Sequence, residues 1–283
     1  MDYETALHEL IKNALAEDIG SGDHSTLSSV DQNANGEAVL KIKQDGILAG
    51  MVVAEKIFRF MEPGIVFTPF KKDGDRMMIG EKAFDVKGKV HTILSCERLV
   101  LNVMQRMSGI ATLTDKYVQK LAGYKTKLLD TRKTTPNFRL LEKEAVRIGG
   151  GMNHRFGLYD MIMLKDNHID YSGGIENAIH KAVDYIKKDH LDLKIEVETR
   201  SIEDVRKVIA TGGVDRIMLD NFAPAQIVEA LKIIDGKYET EASGGINYAN
   251  LEEYAATGVD YISSGAVIHG ATSLDLSLKA VIT

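Results

Sequence analysis

From about residue 126 onward, short apolar segments alternate with segments of helical periodicity, and this alternation limits the possible folds. The apolar segments are Lys127–Asp130, Met161–Lys165, Leu193–Glu198, Arg216–Asp220, Tyr238–Ser243 and Val259–Ser263. They are too short for helices, and most are rich in Ile, Val, Leu or Met, as strands buried on both faces are. Six strand–helix units predict a parallel sheet and favour a (β/α) barrel over an open doubly wound sheet.

The segments between these strands have the features of helices. Gly174–Lys188 repeats apolar residues at the 3.6-residue spacing of one helix face. Ser201 predicts an N-cap, and Pro224 predicts the first turn of the next helix. Asn247 predicts the cap of the helix after that. Because no G-x-G-x-x-G follows a predicted strand, the pattern argues against a dinucleotide-binding fold.

The first 110 residues have a different pattern. A helix is predicted over Ala6–Glu17, and short strands separated by glycines follow it. Such strands are typical of an antiparallel sheet. A longer helix is predicted from about Ser95 to Leu121, and the domain boundary lies inside or just after it. We therefore expect an N-terminal α+β domain over residues 1–110 and a barrel over residues 111–269.

Composition excludes several classes of protein. The chain has 283 residues, of which 44% are hydrophobic and 27% charged, and its net charge of −6 offers no general attraction to nucleic acid or anionic membranes. Cys96 is the single cysteine, which excludes an internal disulfide and a cysteine-built metal site. The acidic N-terminus lacks the apolar core of a signal peptide, so we expect a cytoplasmic protein.

Polar and ionisable residues stand at the C-terminal end of every predicted strand. They are Asp130–Lys133, Lys165–His168, Glu196 with Glu198, Asp220 with Asn221, Ser243–Gly245 and Ser263–Gly265. Barrel enzymes carry their chemistry at this end of the strands. The sequence therefore predicts an active site at the barrel mouth.

The segment from Arg132 to His168 is basic although the chain as a whole is acidic. Its members Arg132, Lys133, Arg155 and Lys165 can form a cluster for a multiply charged anion. His154 and His168 belong to the same segment, and the sequence leaves open whether each lines the site or is structural. The charge pattern indicates a small anionic ligand.

Two glycine turns suggest a phosphate site. Ser243–Gly245 and Ser263–Gly265 follow the last two predicted strands, where barrels often bind phosphate. Glycine lets backbone amides approach an anion closely, and a helix N-terminus beyond each turn adds a favourable dipole. Ordinary tight turns are the alternative reading.

Glu198 and Asp220 end neighbouring predicted strands. Two carboxylates there suit Mg²⁺ or ribose hydroxyls, although salt bridges to Lys165 or Arg155 would also explain them. No His/Cys spacing suggests zinc. Two chemistries stay open from the residues alone: transfer from a sugar pyrophosphate, and Schiff-base chemistry at Lys165.

Several of these segments together resemble the quinolinate phosphoribosyltransferase family. The matching segments are Asp130–Pro136 (DTRKTTP), Gly149–Arg155 (GGGMNHR), Leu164–Ile169, Glu196–Glu198, Leu219–Phe222, Glu241–Ile246 and Ile262–Ala266. Further matches at Glu17–Asp23 and Glu97–Arg98 extend the resemblance over nearly the whole chain. Asn137 stands where the family usually has glycine, and it tolerates a left-handed backbone. Glu144 and Ser264 are further departures, and none of the three removes a proposed catalytic group.

The resemblance implies a mixed-sheet N-terminal domain and an open (β/α) barrel of the seven-stranded type. Residues 270–283 are then expected to return to the N-terminal domain. It also implies a homodimer in which one subunit covers the barrel mouth of its partner, so that Arg98 acts in trans on the substrate carboxylates. A hexamer of such dimers is equally compatible with the sequence.

The resemblance also assigns residues. Arg132, Lys133, His154, Arg155 and Lys165 match the basic substrate pocket of the family, and Glu198 and Asp220 match its ribose and Mg²⁺ carboxylates. Ser243, Gly244, Gly245, Ser263, Ser264 and Gly265 match its phosphate turns, with His269 nearby. Among these, Lys133, Lys165, Glu198 and Asp220 are the expected catalytic residues, the lysines acting by electrostatic stabilisation.

By the same resemblance, quinolinate and phosphoribosyl pyrophosphate are the expected substrates, and nicotinate mononucleotide, pyrophosphate and CO₂ the products, in NAD biosynthesis. Two alternatives remain. One is the molybdenum-uptake-associated branch of the superfamily, which diverges around the segment Leu164–Ile169. The other is a non-catalytic binder of anionic metabolites, which gives no reason for the pair Glu198 and Asp220.

Overall fold

The computed structural model describes residues 2–281. Its helices are α1 (Tyr3–Ile19), α2 (His24–Ser29), α3 (Met51–Met61), α4 (Val90–Lys120), α5 (Arg139–Ile148), α6 (Asp166–Ser172), α7 (Ile175–Asp189), α8 (Ile202–Thr211), α9 (Pro224–Ile234), α10 (Leu251–Ala255) and α11 (Ala266–His269). Its strands are β1 (Asn35–Ile42), β2 (Gly46–Ile47), β3 (Val66–Pro69), β4 (Arg76–Met77), β5 (Lys82–Lys89), β6 (Lys127–Leu129), β7 (Ile162–Leu164), β8 (Ile195–Thr199), β9 (Arg216–Asp220), β10 (Glu239–Ser243), β11 (Tyr261–Ser263) and β12 (Leu276–Ala280). Over residues 2–281, no helix is both long and apolar enough to cross a bilayer.

The chain divides into two compact units. The first comprises the described residues up to Asp115, the segment Thr134–Gly150 and the described residues from Val267 onward. The second comprises Lys116–Lys133 and Gly151–Ala266. The segment 134–150, which the sequence places in the barrel domain, thus groups with the first unit, and its helix α5 contacts α1 there.

The first unit is built on an antiparallel sheet of strand order β12-β1-β5-β3. Strand β12 pairs with β1, with Leu278 opposite Leu40, so the described C-terminal residues complete the N-terminal sheet. Phe58 of α3 packs edge-on to Phe84 of β5, and both side chains are fully buried. This α+β arrangement confirms the fold class expected for the N-terminal domain.

The second unit contains a parallel sheet with the strand order β6-β11-β10-β9-β8-β7 among the described residues. The first strand pairs with the last, as in a barrel, while β7 forms the opposite edge and leaves the ring open. Met152 adds a single parallel bridge to Leu129 on the free side of β6. The open (β/α) barrel is therefore confirmed, including β10, which forms a strand although its sequence is polar and alternating.

Local signals fixed most helix starts of this unit. The Ser201 side chain accepts a hydrogen bond from the Asp204 amide at 3.1 Å and caps α8, and Pro224 is the first residue of α9.

The prediction for Asn247 was wrong. Its side chain accepts from the Ala249 amide at 2.9 Å in a local turn, and α10 begins only after Asn250. Asparagine competes for backbone hydrogen bonds in this way, which delays the helix.

Candidate active site

Strand register places the polar strand ends along one edge of the parallel sheet. Leu164 is opposite Val197, and Thr199 is opposite Leu219. On the next strand, Ser243 is opposite Asp220. The residues at the ends of β7, β8, β9 and β10 therefore follow one another along the carboxyl edge, as the sequence predicted.

Glu198 lies between Lys165 and Asp220. Lys165 Nζ donates to Glu198 Oε2 at 2.7 Å, so the salt bridge that the sequence left open is present. Burial raises the pKa of Asp220, and the charge of Glu198 raises it further. The Asn221 side-chain amide donates to Asp220 Oδ2 at 2.6 Å. Two neighbouring carboxylates and one ammonium form an oxygen-rich site, and their charges favour the binding of a further cation.

The ion pair of Lys165 bears on its chemistry. A lysine side chain that binds a carboxylate is directed at that carboxylate, whereas Schiff-base formation requires its nitrogen to attack a substrate carbonyl. The contact with Glu198 at 2.7 Å therefore favours an electrostatic role for Lys165 over the covalent alternative.

The turn Ser243–Gly245 fits closely against the end of β9. The Asn221 amide donates to the Ser243 carbonyl at 2.8 Å. A Cβ atom on Gly244 would lie 2.2 Å from Asn221 Oδ1 and 2.8 Å from the Asn221 backbone nitrogen, and Gly244 has φ +94°. Gly245 has φ +64°, but a Cβ atom there would meet no atom within 4 Å. The two glycines are thus required for different reasons.

This difference gives a testable pair of variants. Gly244→Ala is expected to abolish most activity and to lower the free energy of unfolding by more than Gly245→Ala does. Both carry the cost of a left-handed backbone, about 1–3 kcal/mol, but only Gly244→Ala also displaces Asn221. Chemical unfolding and turnover of both variants test this, and equal losses would show that close packing of the turn is unimportant.

The second predicted phosphate turn is held from inside the barrel. The Ser264 amide donates to the Leu129 carbonyl at 3.1 Å, and its hydroxyl donates to the Ile246 carbonyl at 2.8 Å. Burial alone raises the pKa of Glu241, but the neighbouring His154 and Ser263 outweigh it and lower the pKa of that carboxyl. These serine donors are thus used in positioning the turn before Gly265, and phosphate binding by the turn stays a prediction.

Basic residues of the sequence-predicted cluster belong to the same unit. Burial lowers the pKa of Arg155, and the nearby charge of Arg132 lowers it further. The Arg155 guanidinium donates to the Met161 carbonyl at 3.4 Å. Lys133, which follows β6, is exposed, and its amide donates to Thr131 Oγ1 at 3.1 Å. Two guanidinium groups that repel each other favour an anion between them.

His154 lies inside the barrel in a cluster of charged residues. Its Nε2 is 2.9 Å from Glu196 Oε2 and 3.2 Å from Glu241 Oε2, and its backbone amide donates to Asp130 Oδ1 at 2.8 Å. Burial alone lowers the pKa of His154, but the two carboxylates outweigh burial and raise it to about 9. Arg216 Nη1 contacts Glu241 at 3.2 Å. His154 Nδ1 accepts from the Arg155 amide at 2.6 Å, so Nε2 is the ring nitrogen that carries a proton toward the two carboxylates.

Glu241 and Arg216 are components that the sequence reasoning did not assign to the site. Charged residues recur at every second position of the buried strands, as with Glu196 and Glu198 on β8 and with Glu239 and Glu241 on β10. Alternate residues of a strand share one face, so this spacing was the available signal for an inward-facing charged layer. Arg216 places a guanidinium against Glu241, and His154 Nε2 faces both Glu196 and Glu241.

Some predicted residues belong to the first unit or have structural roles. Arg98 is exposed on α4 and lines a cavity of about 600 Å³ with Gln105 and Leu276. His269 is the exposed last residue of α11. His168 Nδ1 accepts from the Lys165 amide at 3.1 Å, and His168 therefore helps cap α6. Asn137 has φ +61°, which confirms the left-handed turn expected there.

Comparison with known proteins agrees with this geometry. The model of the quinolinate phosphoribosyl transferase C-terminal domain matches residues 110–279, and the model of the N-terminal domain of the same enzymes matches residues 23–108. The chain belongs to the quinolinate phosphoribosyltransferase family. Its members, and hence this chain, are phosphoribosyltransferase enzymes with the α/β architecture described above.

Curated and solved relatives share most of the chain. The nicotinate-nucleotide pyrophosphorylase [carboxylating], chloroplastic, of Arabidopsis thaliana is 43% identical over 96% of this chain and 82% of its own length. The probable nicotinate-nucleotide pyrophosphorylase [carboxylating] of Bacillus subtilis is 43% identical over 98% and 94%. The solved nicotinate-nucleotide pyrophosphorylase from Francisella tularensis superposes with a TM-score of 0.90 at 38% identity, over 99% of this chain and 98% of that one.

Proposed function

We propose that this chain transfers the phosphoribosyl group of phosphoribosyl pyrophosphate to quinolinate and releases CO₂, forming nicotinate mononucleotide for NAD biosynthesis. The observation that carries the proposal is the strand-end site, where the basic residues of the second unit accompany the carboxylates Glu198 and Asp220. A substrate pair with two carboxylates, one ring nitrogen and a sugar pyrophosphate needs these charges.

Each substrate has suitable partners in the site. Arg132 and Arg155 suit the two carboxylates of quinolinate because a guanidinium binds a carboxylate through two parallel hydrogen bonds. Glu198 and Asp220 accept hydrogen bonds from the ribose hydroxyls. The Ser243–Gly245 turn offers backbone amides to the 5′-phosphate. We assign His269 to the phosphate-bearing substrate as well.

The transfer step joins the ring nitrogen to C1 of the ribose. The nitrogen lone pair forms the new bond while the bond from C1 to the pyrophosphate oxygen breaks and its electron pair leaves with pyrophosphate. Negative charge develops on that leaving group, and the exposed ammonium of Lys133 stabilises it. Holding both substrates in line supplies much of the rate acceleration.

Decarboxylation follows on the quaternised ring. The bond between C2 and its carboxylate breaks, CO₂ departs, and the electron pair remains on C2 beside the cationic nitrogen. A proton then adds to C2 and gives nicotinate mononucleotide. Lys165 supplies positive charge that favours the carbanion-like state.

Magnesium is the metal we propose for the site. Glu198 and Asp220 fit it, because burial and mutual repulsion raise the pKa of Asp220 and a hard cation bound by oxygen relieves that repulsion. When bound, Mg²⁺ neutralises negative charge on the departing pyrophosphate. Lys165 holds Glu198 in place meanwhile.

We further propose a homodimer in which Arg98 contributes to the partner's active site. Arg98 is exposed on the first unit, and it lines a cavity with Leu276 and Leu278 of β12. A 1:1 mixture of Arg98→Ala and Lys133→Ala subunits is expected to regain about a quarter of wild-type activity over all active sites. About half of the randomly formed dimers are mixed, and one of the two sites in each mixed dimer is intact. Mixtures without any gain over the single variants would exclude the shared site.

One assay tests the function directly. Incubation of the protein with Mg²⁺, quinolinate and phosphoribosyl pyrophosphate is expected to yield CO₂ and nicotinate mononucleotide in equal amounts. Turnover of nicotinate with none of quinolinate would overturn the substrate assignment, and binding without turnover would favour an anionic-metabolite binder.

A cytoplasmic location also remains our prediction.

A further inference from the structure

We propose that the ion pair of Arg106 and Glu142 is a positioning device for two segments: the loop that carries Lys133 and the end of α11 that carries His269. The inference rests on the proposed function, which assigns those two residues to phosphoribosyl pyrophosphate. Arg106 lies on α4 and Glu142 on α5, and both belong to the first unit. In this proposal neither residue touches the substrate, and each acts through the segment that it holds.

Glu142 holds the loop that follows Lys133. Its carboxylate is fully buried, and Thr135 donates to it twice, from the amide to Oε2 at 2.8 Å and from the hydroxyl to Oε1 at 3.0 Å. Arg106 Nε and Nη2 donate to Oε1 at 3.0 and 2.8 Å. Every one of these partners is a donor, so the site accepts a carboxylate but not a side-chain amide in either orientation.

Arg106 holds the segment around His269 with the rest of its guanidinium. Nη2 donates to the Ile268 carbonyl at 2.9 Å, and Nη1 donates to the Ala271 carbonyl at 2.7 Å. These carbonyls stand on either side of His269 in the sequence. A planar guanidinium can bind a carboxylate and two carbonyls at once, which a lysine ammonium cannot do in the same geometry.

Both held segments adjoin or belong to loops that need an external support. Residues 130–138 and 270–275 form no helix or strand. Thr135 is exposed, and burial does not fix it in place. An ion pair that served stability alone would have no need to bind an exposed threonine two residues from Lys133. The Arg106–Glu142 pair instead ties two segments with proposed substrate residues to two long helices.

Glu142→Gln is the variant that tests the proposal. It keeps the side-chain shape but turns an NH₂ group toward a donor, so we expect kcat to fall about tenfold to a hundredfold, as displacement of a catalytic group by about 1 Å does. Glu144→Gln is the matched control. Glu144 lies on the same helix and pairs with Arg147 Nε at 2.9 Å at the surface, and its loss is expected to leave kcat unchanged.

A double-mutant cycle separates positioning from general destabilisation. In a Lys133→Ala background, Glu142→Gln is expected to lower kcat by less than about threefold, because the group that it positions is gone. Amide hydrogen exchange at Thr135 is expected to accelerate in Glu142→Gln and not in Glu144→Gln. All rates are measured well below the unfolding temperature of each variant.

The outcomes are distinguishable. If Lys133→Ala retains full turnover, the proposed function of Lys133 fails. Two results would overturn the positioning role while Lys133→Ala is impaired. In one, Glu142→Gln leaves kcat unchanged; in the other, Glu142→Gln lowers kcat by the same factor in Lys133→Ala as in the wild type. If Glu142→Gln does not fold, Thr135→Val decides instead: it leaves the ion pair intact, removes one donor, and is expected to lower kcat in the wild-type background but not in Lys133→Ala.

Discussion

Replacing Lys133 by alanine is expected to lower kcat by about a hundredfold to a thousandfold while the protein stays folded. Removal of a group that stabilises charge developing in a transition state has effects of this size. The side chain of Lys133 is exposed, so its truncation opens no cavity. Steady-state turnover of quinolinate, together with the midpoint of thermal unfolding, provides the measurement.

Lys127→Ala is the matched control for this prediction. Lys127 is an exposed lysine at the start of β6, whereas Lys133 follows the other end of the same strand. Removing it changes the net charge equally but leaves the strand-end site intact. Equal rates for Lys133→Ala and wild type, or equal losses for the two variants, would remove Lys133 from the proposed mechanism.

The free energy of unfolding is expected to fall between pH 6 and pH 9.5, because Glu196 and Glu241 raise the pKa of His154 against the effect of burial. Its pKa is about 9 in the folded protein and 6.5 in a reference peptide. A group with a raised folded pKa contributes its full stability below the unfolded value and loses it as the pH rises through the folded value. The raised pKa of the buried Glu196 acts in the same direction at lower pH.

His154→Gln tests the source of this pH dependence. The variant cannot bind the extra proton, so its unfolding free energy is expected to change less than that of wild type over the same range. Urea unfolding at several pH values measures both proteins. An identical pH slope for the two proteins would show that Glu196 and Glu241 do not raise the pKa of His154.

Local sequence patterns predicted the parts of the fold that depend on neighbours in the chain. The segment Arg216–Asp220 became β9 with the same bounds, and Ser201 caps α8 as its spacing from Asp204 indicated. Asn137 adopts the left-handed backbone that its place after Pro136 required. Asn247 shows the limit of such patterns, since an asparagine can cap a helix or form a turn and the local sequence allows both.

The arrangement of charged residues in the candidate active site depended on tertiary structure more than the helices and strands did. Polar strand ends indicated an active site, and the family resemblance named its ligands, but neither revealed the layer of charges beneath it. Glu196 on β8 and Glu241 on β10 raise the pKa of His154 to about 9, against the effect of burial. Strand register brings those carboxylates together, and register is a property of the sheet rather than of one strand.

By itself, the sequence determined the alternation of strands and helices, the barrel and the polar character of its mouth, because periodicity and strand ends are local properties. Only the tertiary structure decided which charges meet. Lys165 and Glu198 are 33 residues apart in the chain, and Arg106 and Glu142 are 36 apart. Such contacts form because packing of helices and strands excludes water from specific pairs, and no pattern within one segment encodes that choice.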